Sequence, residues 1–151
     1  MAVKSVHYGE IVEVTFKFPG EGYKVHPALV ISGKELQEDE DGMFYAVLIS
    51  SKNHLPKYTI ELKEEWLTRP LHKQSYFVTH FMTYFTSEEV SQSYRTSVKS
   101  EYMDGIMCKV IKSIFELDID IEWTNQFYGY DITTNTNRDL ESHQVWPAHW
   151  G

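Results

Sequence analysis

The sequence predicts one domain of mainly β structure with helices in its second half, an α+β fold. Five stretches have the length and pattern of strands, whereas helical periodicity is confined to the region after residue 86. The chain has 151 residues, 42% of them hydrophobic and 15% aromatic, which suffices for one core and leaves little room for two. Residues 1–151 are therefore expected to form a single domain.

Two strands are predicted first. The first strand alternates between an apolar and a polar face, with Val12, Val14, Phe16 and Phe18 against Glu13, Thr15 and Lys17. The second, residues 26–32, is a continuous apolar run, which is typical of a central strand buried on both faces. Because Pro27 has no amide hydrogen to donate, we expect it at the first position of that strand. Residues 19–25 are then a loop.

Three more strands are predicted after an acidic connection. Residues 33–42 are polar and rich in Asp and Glu, which predicts a solvated hairpin connection. The following strands are residues 44–50, which are nearly all apolar, and residues 58–63 and 75–85, which alternate. The third strand ends in a polar cluster that begins at Ser50.

Two helices are predicted in the second half. Thr86 and Glu89 have the spacing of a capping box, so a short helix is expected to begin there. A longer helix is predicted from Ser100 to Leu117, because its apolar residues recur at intervals of three and four. Cys108 lies within this apolar stripe and is expected to be buried.

Composition excludes several classes of protein. A single cysteine rules out an intrachain disulfide framework, and the absence of membrane-length apolar stretches and of a signal peptide predicts a cytoplasmic protein. The net charge of −8 argues against broad nucleic-acid binding, although it leaves room for a local basic cleft. The seven histidines show no metal-ligand spacing. We therefore expect neither a metal nor a cofactor.

The order of these elements resembles the MazF/PemK-like toxins of bacterial toxin-antitoxin systems. The resemblance rests on the strand opening at residues 9–12, the apolar run at 26–32, the strand ending at 48–51 and the closing strand and helix. It covers residues 9–117. It implies a small SH3-like curved β-barrel, a homodimer and metal-independent endoribonuclease activity on single-stranded RNA, neutralised by an antitoxin protein.

The resemblance also implies a catalytic site. Members usually have an arginine where this chain has His26 and a threonine where it has Ser50, while an arginine and an acid of some members are replaced by Met82 and Tyr84. His26 can serve as acid or base near neutral pH, and Ser50 can donate a hydrogen bond. The alternative is that His26 only packs at the mouth of its strand.

Four further residues are candidates for RNA binding. Lys24 and Lys52 can hold phosphate groups as point charges, Ser51 lies between Ser50 and Lys52, and Tyr23 offers a ring on which a base can stack. His80 is also a possible site residue, but its place in an apolar strand favours a core histidine.

Two questions about function stay open. The chain can instead be a non-catalytic protein of the same fold that acts by protein binding, as CcdB-like gyrase poisons do, or an inactive regulatory homologue. The extension at residues 118–151 is acidic and aromatic. It either packs as ordinary structure or acts as a built-in inhibitor that covers the RNA groove.

Overall fold

The computed structural model describes residues 5–53 and 55–115. The predicted extension at 118–151 lies outside these residues. The described part contains these strands and α-helices: β1 (Glu10–Phe18), β2 (Gly22–Val30), α1 (Lys34–Asp39), β3 (Met43–Ser50), β4 (Thr59–Leu62), β5 (Ser75–Thr86), β6 (Gln92–Ser97) and α2 (Ser100–Ile114). The strands form one sheet in the order β4-β5-β3-β2-β1-β6, and every pairing is antiparallel. The predicted mainly-β fold with helices is confirmed.

Apolar side chains cover both faces of the sheet. One face carries the cluster that we call the inner core: Val6, Val12, Val14, Phe16, Ala28, Val30, Phe44, Ala46, Leu48, Val78, Phe85 and Val90. The other face packs against α2 and forms the helix-side core: Ile11, Leu29, Val47, Ile49, Leu62, Leu67, Phe77, Val98, Met103, Ile106 and Val110. Adjacent strand residues point to opposite faces, so β3 and residues 28–30 of β2 are buried on both sides, as predicted, whereas residues 22–25 of β2 are exposed.

A bulge in β5 interrupts its pairing with β3. Val47 pairs with Met82, whereas Ile49 pairs with Phe77, so residues 78–81 lie opposite Leu48 alone. Extra residues in one strand bend it and increase its local twist. The bulge separates the part of β5 that pairs with β4 from the part that continues along β3.

The structure corrects the start of the second strand. β2 begins at Gly22 rather than at residue 26, because a tight turn over residues 19–21, with Gly20 and Gly22 at positive φ, replaces the predicted loop. Pro27 therefore lies inside β2. The Ile31 amide donates a hydrogen bond to the Tyr45 carbonyl of β3. Backbone groups alternate in direction along a strand, so the backbone nitrogen of Pro27, four residues earlier, also points toward β3. The β2–β3 pairing ends at Ala28, which leaves no ladder bond for Pro27 to break.

The acidic connection is not a simple hairpin, since residues 34–39 form α1. The buried side chain of Gln37 accepts a hydrogen bond from the Val6 amide at 3.0 Å and donates one to the Val6 carbonyl at 2.6 Å. This contact anchors α1 to a distant segment, which local sequence does not reveal. The charged residues at positions 38–41 are exposed, as predicted.

Both predicted helices are present. Residues 87–89 form one turn of 3₁₀ helix with the capping box of Thr86 and Glu89, in which the Thr86 amide donates to the Glu89 carboxylate at 2.7 Å. α2 ends at Ile114, three residues before the predicted end, and Cys108 is buried within it. No helix in the described residues is long and apolar enough to cross a membrane.

Candidate active site

The two predicted catalytic residues lie on neighbouring strands, His26 in the middle of β2 and Ser50 at the end of β3. Ala28 of β2 pairs with Leu48 of β3, and the same register extended by two residues places His26 opposite Ser50. Because side chains two residues apart share a face, both point to the face that carries the inner core. His26 and Ser50 therefore lie on the same face of neighbouring strands, just beyond the last pair, Ala28 and Leu48.

The His26 imidazole is half-buried and has a fixed tautomer. Its Nδ1 lies 3.2 Å from the carbonyl oxygen of Ile49. A carbonyl can only accept a hydrogen bond, so Nδ1 carries the proton and donates it. Nε2 is then the atom that gains and loses a proton, which is the arrangement that a general acid or base needs.

Aromatic rings form the wall behind His26. The His26 ring lies 5.5 Å from the ring of Phe18 and 6.4 Å from that of Phe16, measured between centroids. Phe18 in turn lies 5.2 Å from Phe81 of β5. These contacts limit how far the imidazole can turn. They also support the alternative in which His26 only packs at the strand mouth.

Ser50 occupies the last position of β3 and is buried, with 7% of its surface exposed. Its Oγ accepts a hydrogen bond from the Lys52 amide at 3.1 Å. The hydroxyl proton is not used in this bond and can be donated elsewhere. Ser51 and Lys52 are exposed in the turn that follows.

The predicted RNA-binding residues of β2 separate onto two faces. Lys24 shares the face of His26; its ammonium lies 5.5 Å above the Phe18 ring and forms an ion pair with Glu21 at 2.7 Å. Tyr23 is 70% exposed but points to the opposite face. The sequence predicts a loop at residues 19–25. Because a loop has no alternation of side chains between two faces, the sequence does not predict the face on which Tyr23 lies.

His80 is exposed, so its prediction as a core histidine is wrong. It lies in the β5 bulge, and its ring contacts that of Tyr58 in a tilted arrangement at a centroid distance of 4.7 Å. The sequence predicts no role for Phe18, Phe81 or Tyr58 beyond strand packing. Their strand patterns carry no mark that separates them from ordinary core residues.

A cleft of about 820 Å³ lies between residues 61 and 74, and neither His26 nor Ser50 lines it. Within residues 5–53 and 55–115, no group of three or more potential metal-ligating side chains lies close enough to hold a metal ion.

Solved structures of endoribonuclease toxins share this fold. An endoribonuclease in complex with its cognate antitoxin, from mycobacterial species, has a TM-score of 0.56 and 13% identity over 77% of this chain and 100% of that chain. MazF from Deinococcus radiodurans has a TM-score of 0.57 and 14% identity, covering 72% and 94%. The MazE–MazF complex from the same organism has a TM-score of 0.51 and 16% identity, covering 72% and 92%.

Comparisons by sequence give no match, either to a family model or to a curated protein. At identities of this size, the structural likeness establishes the fold. The described part of the chain has the MazF toxin fold, and its chemistry must be argued from its own residues.

Proposed function

We propose that the chain is a toxin that cleaves single-stranded RNA without a metal ion, acts in the cytoplasm as a homodimer and is neutralised by an antitoxin protein. The fold, which is shared with solved endoribonuclease toxins, supports the proposal of a toxin. The observation that supports the chemistry is the His26 imidazole, which is held through Nδ1 by the carbonyl of Ile49, the residue before Ser50.

In the proposed reaction, Nε2 of His26 takes the proton from a ribose 2′-hydroxyl. The 2′ oxygen attacks the adjacent phosphorus while the bond to the 5′ oxygen breaks, and the leaving oxygen takes a proton from solvent. The products are a 2′,3′-cyclic phosphate and a 5′-hydroxyl. Ser50, Lys52 and Lys24 supply a hydrogen bond and positive charge for the negative charge on the phosphoryl oxygens in this transition state.

Cleavage of a long single-stranded RNA by the purified protein, with chelator present, tests this function. The cut ends should carry the cyclic phosphate. His26→Ala and Ser50→Ala should each lower the rate by about 10²- to 10⁴-fold, since each removes a group that acts in the transition state. The thermal midpoint of either variant should stay close to that of the unmodified protein.

His72→Asn is the matched control. His72 is exposed and has φ of 62°, a conformation that asparagine tolerates. It lies at the cleft between residues 61 and 74, so its replacement should leave cleavage unchanged. Equal activity of His26→Ala, Ser50→Ala and His72→Asn would remove the catalytic assignment.

A second candidate function is supported by the burial of Ser50. Only 7% of the surface of Ser50 is exposed, which leaves its hydroxyl little room to contact a phosphate. This favours a toxin-fold protein that acts by protein contact alone. Growth inhibition by the expressed protein that survives both alanine substitutions, with no RNA cleavage, would identify this function.

A further inference from the structure

Tyr58 and His80 form an aromatic pair that the proposed reaction does not use. Their ring centroids lie 4.7 Å apart with an angle of 42° between the planes. Lys57 places its ammonium 5.4 Å from the centroid of the Tyr58 ring. Tyr58 is half-buried and His80 is exposed, so the imidazole is the outer member of the pair.

Backbone contacts hold this pair in place. Thr79 donates a hydrogen bond from Oγ1 to the Tyr58 carbonyl at 2.5 Å, and the same Oγ1 lies 2.7 Å from Oγ of Ser113 on α2. The Tyr58 amide donates to the Leu55 carbonyl at 2.8 Å. The pair is therefore tied to both the sheet and the helix, and little ordering is needed when a ligand binds it.

One strand, β3, separates the strand that carries His80 from the strand that carries His26. His80 belongs to residues 78–81, which lie opposite Leu48, and Leu48 pairs with Ala28, two residues from His26. Two strand spacings separate β5 from β2, about 10 Å across the sheet. Neighbouring nucleotides of one strand can reach both His26 and the Tyr58–His80 pair.

The segment between Ser50 and Tyr58 is locally basic. Residues 51–58 include Lys52 and Lys57 and no acidic residue, although the chain as a whole has a net charge of −8. Both lysines are exposed. A polyanion meets less repulsion along this segment than along the acidic residues 38–41.

We propose that the Tyr58–His80 pair is a stacking subsite for an unpaired nucleobase of the RNA, with Lys52 and Lys57 contacting the flanking phosphates. This assignment rests on the proposed function. Stacking on an aromatic ring accepts any base because every base has a π face, and it requires a base that is not already stacked in a duplex. The subsite therefore favours single strands over duplexes and tolerates a range of sequences.

Binding of a short single-stranded 2′-O-methyl RNA tests the subsite separately from cleavage, because such a strand has no 2′-hydroxyl to react. His80→Ala should raise the Kd by about 5- to 150-fold, the range expected for the loss of one stacked base. An abasic residue at the stacked position should raise the Kd of the unmodified protein similarly. That abasic change should have little further effect in His80→Ala.

Tyr102→Leu is the matched control, since Tyr102 stacks on Trp66 at a centroid distance of 5.6 Å on the N-terminal part of α2. It should leave the Kd unchanged. The subsite is wrong if the RNA binds His80→Ala with the same Kd as the unmodified protein. It is also wrong if an abasic residue at every position raises the Kd of His80→Ala as much as that of the unmodified protein. In both cases the RNA-binding function stands. If the unmodified protein binds no single-stranded RNA, both proposals fall.

Discussion

Lys24 is the cation on the same face as His26, and its charge is already partly neutralised. Glu21 lies 2.7 Å from its ammonium in the turn before β2. A phosphate that approaches Lys24 must compete with this carboxylate. Glu21 should therefore weaken RNA binding at the site.

Glu21→Gln should bind single-stranded RNA more tightly. Exposed ion pairs are worth about 0.2–1 kcal/mol, so the Kd should fall by up to about fivefold, and the gain should shrink at high salt. Fluorescence anisotropy at two salt concentrations measures this. Glu38→Gln is the control, because Glu38 pairs with Lys34 at 3.6 Å on α1; an equal gain there would show a general charge effect instead.

At the scale of elements, the sequence predicts those strands that carry their own apolar pattern. β6 was missed because Gln92, Ser93 and Arg95 give it a polar sequence, and it is held by side chains of β1 instead. α1 was missed for a similar reason, since its anchor is the contact of Gln37 with Val6.

The sequence likewise predicts only part of the candidate site. His26 and Ser50 end two predicted neighbouring strands, so their proximity follows from the order of elements. The exposure of His80 and its ring contact with Tyr58 depend on the β5 bulge, and the bulge leaves no local pattern in the sequence. The face of Tyr23 depends on where the turn before β2 ends, and that is set by the positive φ of Gly20 and Gly22.

Glu13 of β1 fastens β6 to the sheet. Its carboxylate accepts hydrogen bonds from Ser91 at 2.8 Å, from Gln92 at 3.1 Å and from Tyr94 at 3.1 Å. The bond from Ser91 contributes most to holding the pKa of Glu13 below its ordinary value, against a smaller opposing effect of burial. Burial, with the charge of Glu13, raises the pKa of Tyr94 to about 12.

This depressed pKa predicts how acid affects stability. Because the pKa of Glu13 is lower in the folded than in the unfolded chain, its stabilising effect is present above its ordinary value of 4.5 and is lost as the pH falls through the folded value. Glu13→Gln should therefore lower the thermal midpoint near neutral pH and flatten its decline below about pH 4.5. The control is Glu35→Gln, at an exposed position of α1. A decline in Glu13→Gln as steep as in the control would contradict this role.

At the scale of the whole molecule, α2 leaves part of the helix-side face uncovered. Tyr84 of β5 is 61% exposed, and its ring lies 6.2 Å from that of Tyr45 on β3. The Tyr45 carbonyl accepts a hydrogen bond from Ile31, so these residues form a row across the sheet. Tyr45, Ile31 and the adjacent Met82 are only half-buried. An apolar patch of this kind is typical of an interaction surface.

We predict that this patch pairs with the same patch of a second copy to form a two-fold homodimer. A two-fold interface is self-complementary, and a stable one covers about 800 Å² on each partner. Sedimentation at micromolar concentration should show a dimer, and Tyr84→Asp should give a folded monomer, because each interface would then bury two unpaired charges. Tyr23→Asp is the control: Tyr23 is 70% exposed on the same face but at the hairpin end of β2, and this variant should remain dimeric. A monomeric unmodified protein, or dissociation by Tyr23→Asp but not by Tyr84→Asp, would contradict this interface.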